Sequence, residues 1–250
     1  MEMHRKVALN TILLTSNGTH GFRKTTTIYA VRHGEREDNI NRLWRHELYK
    51  LSRFEKDDSP LSERGVFQAE ECAYRFSKTH FDHVFSSPFD RCMETTARIL
   101  GGRWTKIKVE PGLAEILCMC MNPAGFRDVG SLRKDYVNID TRYEPRLISL
   151  LKVYQRESLN YADEQVRNDS VCLPRVRETL RHILNNYSGC ILIVSHGAVI
   201  AAIHKVLIGR WCSVGQATVS KFTRIDSGSF VCEYSGDASH LADQTNLRAF

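Results

Sequence analysis

Two short runs hold residues whose types suit chemistry in combination, Arg32-His33-Gly34-Glu35-Arg36 and Ser195-His196-Gly197. Between them lie Ser86-Ser87-Pro88-Phe89-Asp90-Arg91 and Glu110-Pro111-Gly112-Leu113-Ala114-Glu115. Taken singly, each residue has an ordinary explanation. The chain has 10 histidines, and any one of them is more often structural or solvated than reactive; Arg91 or Glu115 alone would be a surface charge. Together, two histidines, three arginines and a carboxylate support a narrow chemistry. Arginine forks match phosphate oxygens two at a time and keep their charge when partly desolvated. Phosphoryl transfer asks for positioning, an in-line nucleophile and neutralisation of the equatorial oxygens. A neutral histidine can attack phosphorus. Surrounding arginines disfavour its imidazolium form, and a carbonyl accepting its other N–H would fix the tautomer. A carboxylic acid beside the anionic phosphate can hold the proton that a departing alkoxide or phenolate needs. The set lacks the convergent carboxylates that hold Mg²⁺ and has too few histidines for zinc, so no metal and no cofactor is expected.

These residues act together only if the fold brings them to one edge. Thr26 to Val31 reads as a strand, Ser62 to Ser77 as a helix capped by Ser62, and Phe81 to Phe85 as a second strand. Phe89 to Leu100 reads as a helix ended by Gly101 and Gly102, and Lys106 to Val109 as a third strand. Leu173 to Asn186 reads as a helix, Cys190 to Val194 as a buried strand, Ala198 to Ile208 as the next helix and Ser229 to Tyr234 as a further strand. This alternation predicts an α/β chain with three layers, α/β/α, around a mostly parallel sheet. In such sheets ligands bind beyond the carboxyl ends of the strands, beside helix N-termini. Each of the four runs above follows a predicted strand. Residues 117–169 read as an irregular inserted lid, and residues 1–25 as a flexible N-terminal arm ahead of one domain over 26–250.

Composition sets the outer bounds. At 250 residues, 42% hydrophobic and 26% charged, the chain can bury a core without a disulfide or structural metal. A formal net charge of +6 favours anionic partners without naming one, and nothing in the pattern points to nucleic acid. The apolar run around Ile191 to Ile203 is broken by Ser195-His196-Gly197, so no membrane span is expected. Asn10 and Thr11 interrupt the apolar run near the N-terminus, which argues against a signal peptide. The 8 cysteines are scattered singly through apolar segments, as reduced thiols are, and the expected location is cytoplasmic. Cys118 and Cys120 lack the further ligands a zinc site needs.

Val31-Arg32-His33-Gly34-Glu35, Leu61-Ser62-Glu63-Arg64-Gly65, Ser86 to Thr96 and Ser195-His196-Gly197, in this order, resemble the histidine phosphatase superfamily, which includes the phosphoglycerate mutases. The resemblance spans about residues 26–235. Mutases read R-H-G-E-S-x-W-N where this chain has Arg36 and Asp38. Phe54-Glu55-Lys56-Asp57, Asp82-His83-Val84, Ser87-Pro88, Arg91-Cys92 and Val109 to Leu113 are more similar to the phosphatase domain of the suppressor of T-cell receptor signalling (TULA) proteins and the insect ecdysteroid-phosphate phosphatases. The resemblance implies a phosphoglycerate mutase-like fold and a phosphohistidine mechanism. His33 would be the nucleophile, Arg32, Arg36, Arg91 and His196 would hold the phosphate, and Glu115 would be the proton donor and later the base for water. Ser87 would donate to phosphate or cap a helix; Asp38 would orient a pocket arginine or stand solvated at a helix start. The expected substrate is a phosphorylated protein, through phosphotyrosine, or a hydrophobic or steroid phosphate ester. A mutase, a sugar-phosphate phosphatase and a catalytically silent phosphate-binding scaffold are the alternatives. The resemblance also implies a homodimer. The ubiquitin-associated and SH3 domains of the signalling relatives have no room before residue 26, and the Cys- and Met-rich stretch after Glu115 departs from their pattern.

Overall fold

The computed structural model describes residues 25–145, 164 and 169–249. Its centre is a six-stranded sheet made of β1 (Thr27–Arg32), β2 (His83–Ser86), β3 (Ile107–Val109), β4 (Cys190–Ser195), β5 (Val219–Arg224) and β6 (Phe230–Asp237), in the order β3-β2-β4-β1-β5-β6. The first four of these in space are parallel, and β5 and β6 add an antiparallel edge. The helices are α1 (Glu37–Ile40), α2 (Glu63–Arg75), α3 (Asp90–Leu100), α4 (Val129–Leu132), α5 (Leu173–Asn186) and α6 (Gly197–Ile208). Successive residues of β4 explain the layers: Ile191 and Ile193 pack towards α5 and α6, while Leu192 and Val194 pack with Cys72 of α2, Phe76 just beyond its end, and Cys92 and Ile99 of α3. A strand buried on both faces must be apolar throughout, which is why this run does not alternate.

The predicted helices and strands all appear, with ends moved by a residue or a few. Ser62 caps α2 by accepting the Gly65 N–H at 3.1 Å. Gly101 (φ 53°) and Gly209 (φ 75°) end α3 and α6 in the left-handed conformation that glycine adopts without a Cβ penalty. Two elements went unread: the single turn α1 and the strand β5. In β5, Lys221 and Arg224 break the apolar run, yet the strand lies beside β1 in the middle of the sheet; Lys221 reaches Glu233 of β6 at 2.7 Å. Part of the expected lid lies against the sheet. Asn138 and Asp140 hydrogen bond Ile107, so this stretch extends the sheet edge beside β3. Residues 146–163 and 165–168 of the expected lid, and residues 1–24 of the expected arm, lie outside the described residues.

Candidate active site

The carboxyl ends of the four parallel strands deliver Arg32, His33, Arg36, Arg91 and Glu115 to one cleft of about 600 Å³, with His196 fully buried beside His33. Arg32 ends β1 and His33 follows it. Arg36 precedes α1, Arg91 lies on the first turn of α3, Glu115 follows the turn after β3, and His196 stands between β4 and α6. The His33 N–H donates to Ser195 O at 3.0 Å, which ties the two histidine segments together. His33 is 2% exposed, and its Nδ1 lies 2.7 Å from Gly34 O. A carbonyl only accepts, so Nδ1 carries the proton and Nε2 keeps its lone pair. The rings of His33 and His196 are 5.3 Å apart. His196 Nδ1 lies 3.3 Å from Arg91 Nη2, and its Nε2 lies 2.7 Å from Ser87 Oγ, a hydroxyl that can donate or accept. Glu115 Oε2 stands 3.4 Å from His196 Nδ1 and 3.9 Å from Arg91 Nη2.

The secondary candidates resolve as follows. Ser87 engages His196, and the cap position of α3 belongs to Phe89. Asp38 is in the first turn of α1 and pairs with Arg36 (2.8 Å) and Arg45 (2.9 Å).

The electrostatics favour an anion. Burial first, then the charges of Arg91, Arg32 and Arg36, push the His33 imidazolium well below its ordinary range, so the ring is neutral. His196 is shifted the same way by burial and then by Arg91. Burial, more than the mutual repulsion of the guanidiniums, lowers Arg32 to about 10 and lowers Arg36. The buried Nε atoms of Arg32 and Arg91 have no hydrogen-bond partner among the described residues. Buried donors normally have partners, and a phosphate oxygen is the partner that both the charge and the fork geometry suit. Ligand atoms of His33, Glu115 and His196 also lie within 4.8 Å of one another, a spacing that can hold a metal ion. A cation there would face three guanidiniums against one carboxylate, so Coulomb repulsion opposes it.

Further residues line the cleft, Met119 and Met121 among them from the Cys- and Met-rich stretch of the expected lid. Ile116, Met119, Met121, Ala198, Ala201 and Trp211 form an apolar side, and Arg45, Lys56 and Arg248 add positive charge. They come from six separate segments with no shared spacing. The Arg32 Nη1 donates to Val214 O at 2.8 Å and to Arg248 O, so residues near the C-terminal end of the described chain hold a pocket arginine. Glu35, the carboxylate nearest to His33 in sequence, points away from this chemistry. It is buried and accepts from Ser62 Oγ (2.8 Å) and Arg64 Nη1 (3.1 Å).

The model of the histidine phosphatase superfamily (branch 1) matches residues 28–233. The chain is 30% identical over 217 residues to the ecdysteroid-phosphate phosphatase of Drosophila melanogaster, a match covering 74% of this chain and 27% of that protein. It thus spans about a quarter of that relative. It is 27% identical over 229 residues to the probable phosphoglycerate mutase GpmB of Proteus mirabilis, covering 86% of this chain and 95% of the relative. The crystal structure of the ecdysone phosphate phosphatase of Bombyx mori, in complex with tungstate, superposes with a TM-score of 0.56 at 24% identity. It covers 85% of this chain and 95% of that one. Among the described residues, no helix is long and apolar enough to cross a membrane.

Proposed function

Because the chain belongs to the histidine phosphatase superfamily, we propose that it is a metal-independent phosphomonoester hydrolase working through a phosphohistidine on His33. The observation that carries this reading is the buried, neutral His33, its Nδ1–H held by Gly34 O and its Nε2 left as a lone pair among three arginines. Nε2 attacks phosphorus and the ester P–O bond breaks. Arg32, Arg36, Arg91 and His196 hold the equatorial oxygens, where charge spreads in the transition state. The Glu115 carboxylic acid gives its proton to the departing oxygen. Water then attacks the phosphohistidine and returns a proton to Glu115; inorganic phosphate leaves and His33 is neutral again.

The apolar side formed by Ile116, Met119, Met121 and Trp211 supports a substrate with a large apolar group, a phosphotyrosyl side chain or a steroid-like phosphate ester. A mutase or sugar-phosphate phosphatase is the second reading, favoured by the extra cations Arg45, Lys56 and Arg248 on the cleft. Eight cysteines without a disulfide support a cytoplasmic setting. His33→Ala is expected to lower turnover of aryl phosphates by about 10⁴-fold or more and to abolish an acid-labile phosphoenzyme. Activity surviving in the pure variant would refute the nucleophile. Comparing aryl phosphates with 2,3-bisphosphoglycerate separates the two readings.

A further inference from the structure

Glu115 is weakly held by its own side chain. Among the described residues, Oε1 accepts only the adjacent Ile116 N–H at 3.1 Å, and Oε2 stands 3.4 and 3.9 Å from His196 and Arg91. Its position therefore depends on its backbone. That backbone is gripped by Arg175, on the first turn of α5, whose side chain is 8% exposed. Nη1 of Arg175 donates to Gly112 O (3.0 Å) and Ala114 O (2.9 Å), and Nη2 donates to Glu115 O (3.1 Å). The remaining two N–H groups reach Glu164, from Nη2 to Oε2 (2.9 Å) and from Nε to Oε1 (2.6 Å). Glu164 Oε2 also accepts the Leu117 N–H at 3.0 Å, so the pair holds the chain on both sides of Glu115. Direct contact completes the junction, since a Cβ on Gly112 would come within 2.0 Å of Thr179 Oγ1, one turn further along α5.

We propose that Arg175, balanced by Glu164, is a positioning residue for the proton donor, fixing the carbonyls of residues 112, 114 and 115 so that the Glu115 carboxyl meets the leaving oxygen. The proposal rests on the reading of Glu115 as the acid. Arg175 uses all five donors of its planar fork, which a lysine ammonium with three donors cannot reproduce. It makes no hydrogen bond to the side chains assigned to the phosphate. Its loss should therefore fall on protonation of the leaving group and spare phosphate binding.

Leaving-group dependence tests this. An aryl ester such as p-nitrophenyl phosphate departs with little need of a proton, whereas an alkyl phosphate such as β-glycerophosphate needs one. Arg175→Gln should lower kcat on the alkyl ester by about tenfold to a hundredfold, the scale set by a displaced catalytic group. It should change the aryl ester by less than about threefold and the inhibition constant of inorganic phosphate by less than about twofold. Glu115→Gln should show the same selectivity, and the double variant should fall no further than Glu115→Gln alone. Equal losses on both esters from Arg175→Gln, or none, while Glu115→Gln remains selective, would overturn the positioning role and leave the active-site reading standing. His33→Ala retaining activity would instead overturn the active-site reading and this proposal with it. If Arg175→Gln does not fold, Arg175→Lys carries the same test with the same two outcomes.

Discussion

Gly197 is small because Arg32 lies against it. A Cβ there would sit 3.1 Å from Arg32 Cζ and 3.3 Å from Nε and Nη1, tighter than ordinary packing allows. The guanidinium must then yield, because Gly197 opens α6 and its backbone is fixed by the helix. Gly197→Ala is accordingly expected to weaken inorganic phosphate inhibition and raise KM by about tenfold, equivalent to about 1.4 kcal/mol, with little change in melting temperature. Steady-state kinetics with phosphate as competitor checks it; an unchanged inhibition constant would show that Arg32 does not hold the phosphate. The pocket residues were legible in the sequence because each lies in a short run at the carboxyl end of a predicted strand, where ligands bind in such sheets. Trp211, Arg45 and Arg175 were not. Arg175 reaches the Glu115 segment from α5, remote in sequence, and a lone tryptophan or arginine has no spacing that distinguishes it from surface.

At the scale of elements, the run Leu61 to Gly65 matters for how α2 meets the histidine loop. Glu35 O accepts the Ser62 N–H at 2.9 Å, Glu35 N donates to Gln68 Oε1 at 2.8 Å, and Ser62 Oγ donates to the Glu35 carboxylate while capping α2. The two backbones meet glycine to glycine: a Cβ on Gly34 would lie 2.5 Å from Gly65 O, and one on Gly65 would lie 2.0 Å from Glu35 O. In an exposed helix, replacing glycine by alanine gains about 1 kcal/mol. Here the obstacle is backbone, which cannot rotate aside, and overpacking of about 3 kcal/mol outweighs the gain. Gly65→Ala should therefore lose about 2 kcal/mol net, read as a lower urea midpoint, and it should lower activity because it displaces the segment carrying His33. A stabilised variant would refute the close approach. The helices were readable from their caps and apolar spacing, and β4 from its continuous apolar run. Strand β5 was not, because its charged residues are satisfied by cross-strand partners such as Glu233, which a linear pattern does not reveal.

For the whole molecule, buried titratable groups of opposite kinds set the pH of greatest stability. Burial pushes the imidazoliums of His33, His196, His204 and His240 below 6.5, those of the first two well below. Below pH 6.5 the unfolded chain binds protons that the fold refuses, so stability falls as pH falls. Asp58 acts in the other direction. It is fully buried, accepts the Asp90 N–H at 2.8 Å, and has an Oδ2 without a hydrogen-bond partner among the described residues. Burial first, and then the Asp90 charge, push its carboxyl up from 3.8 to about 8. Between those values the unfolded chain gives up a proton that the fold keeps, so stability falls as pH rises and levels off above about 8. Below 6.5 four histidines outweigh one aspartate, and between 6.5 and about 8 the aspartate acts before the buried thiols of Cys72 and Cys172, pushed up by burial to about 12; this places the maximum near pH 6.5. Asp58→Asn cannot ionise and keeps an oxygen for the Asp90 N–H. It should leave the acid limb intact and flatten the decline between pH 6.5 and 8. Melting temperatures across pH 5 to 9 for both proteins provide the comparison, and a variant that still declines over that interval would rule out Asp58 as the cause.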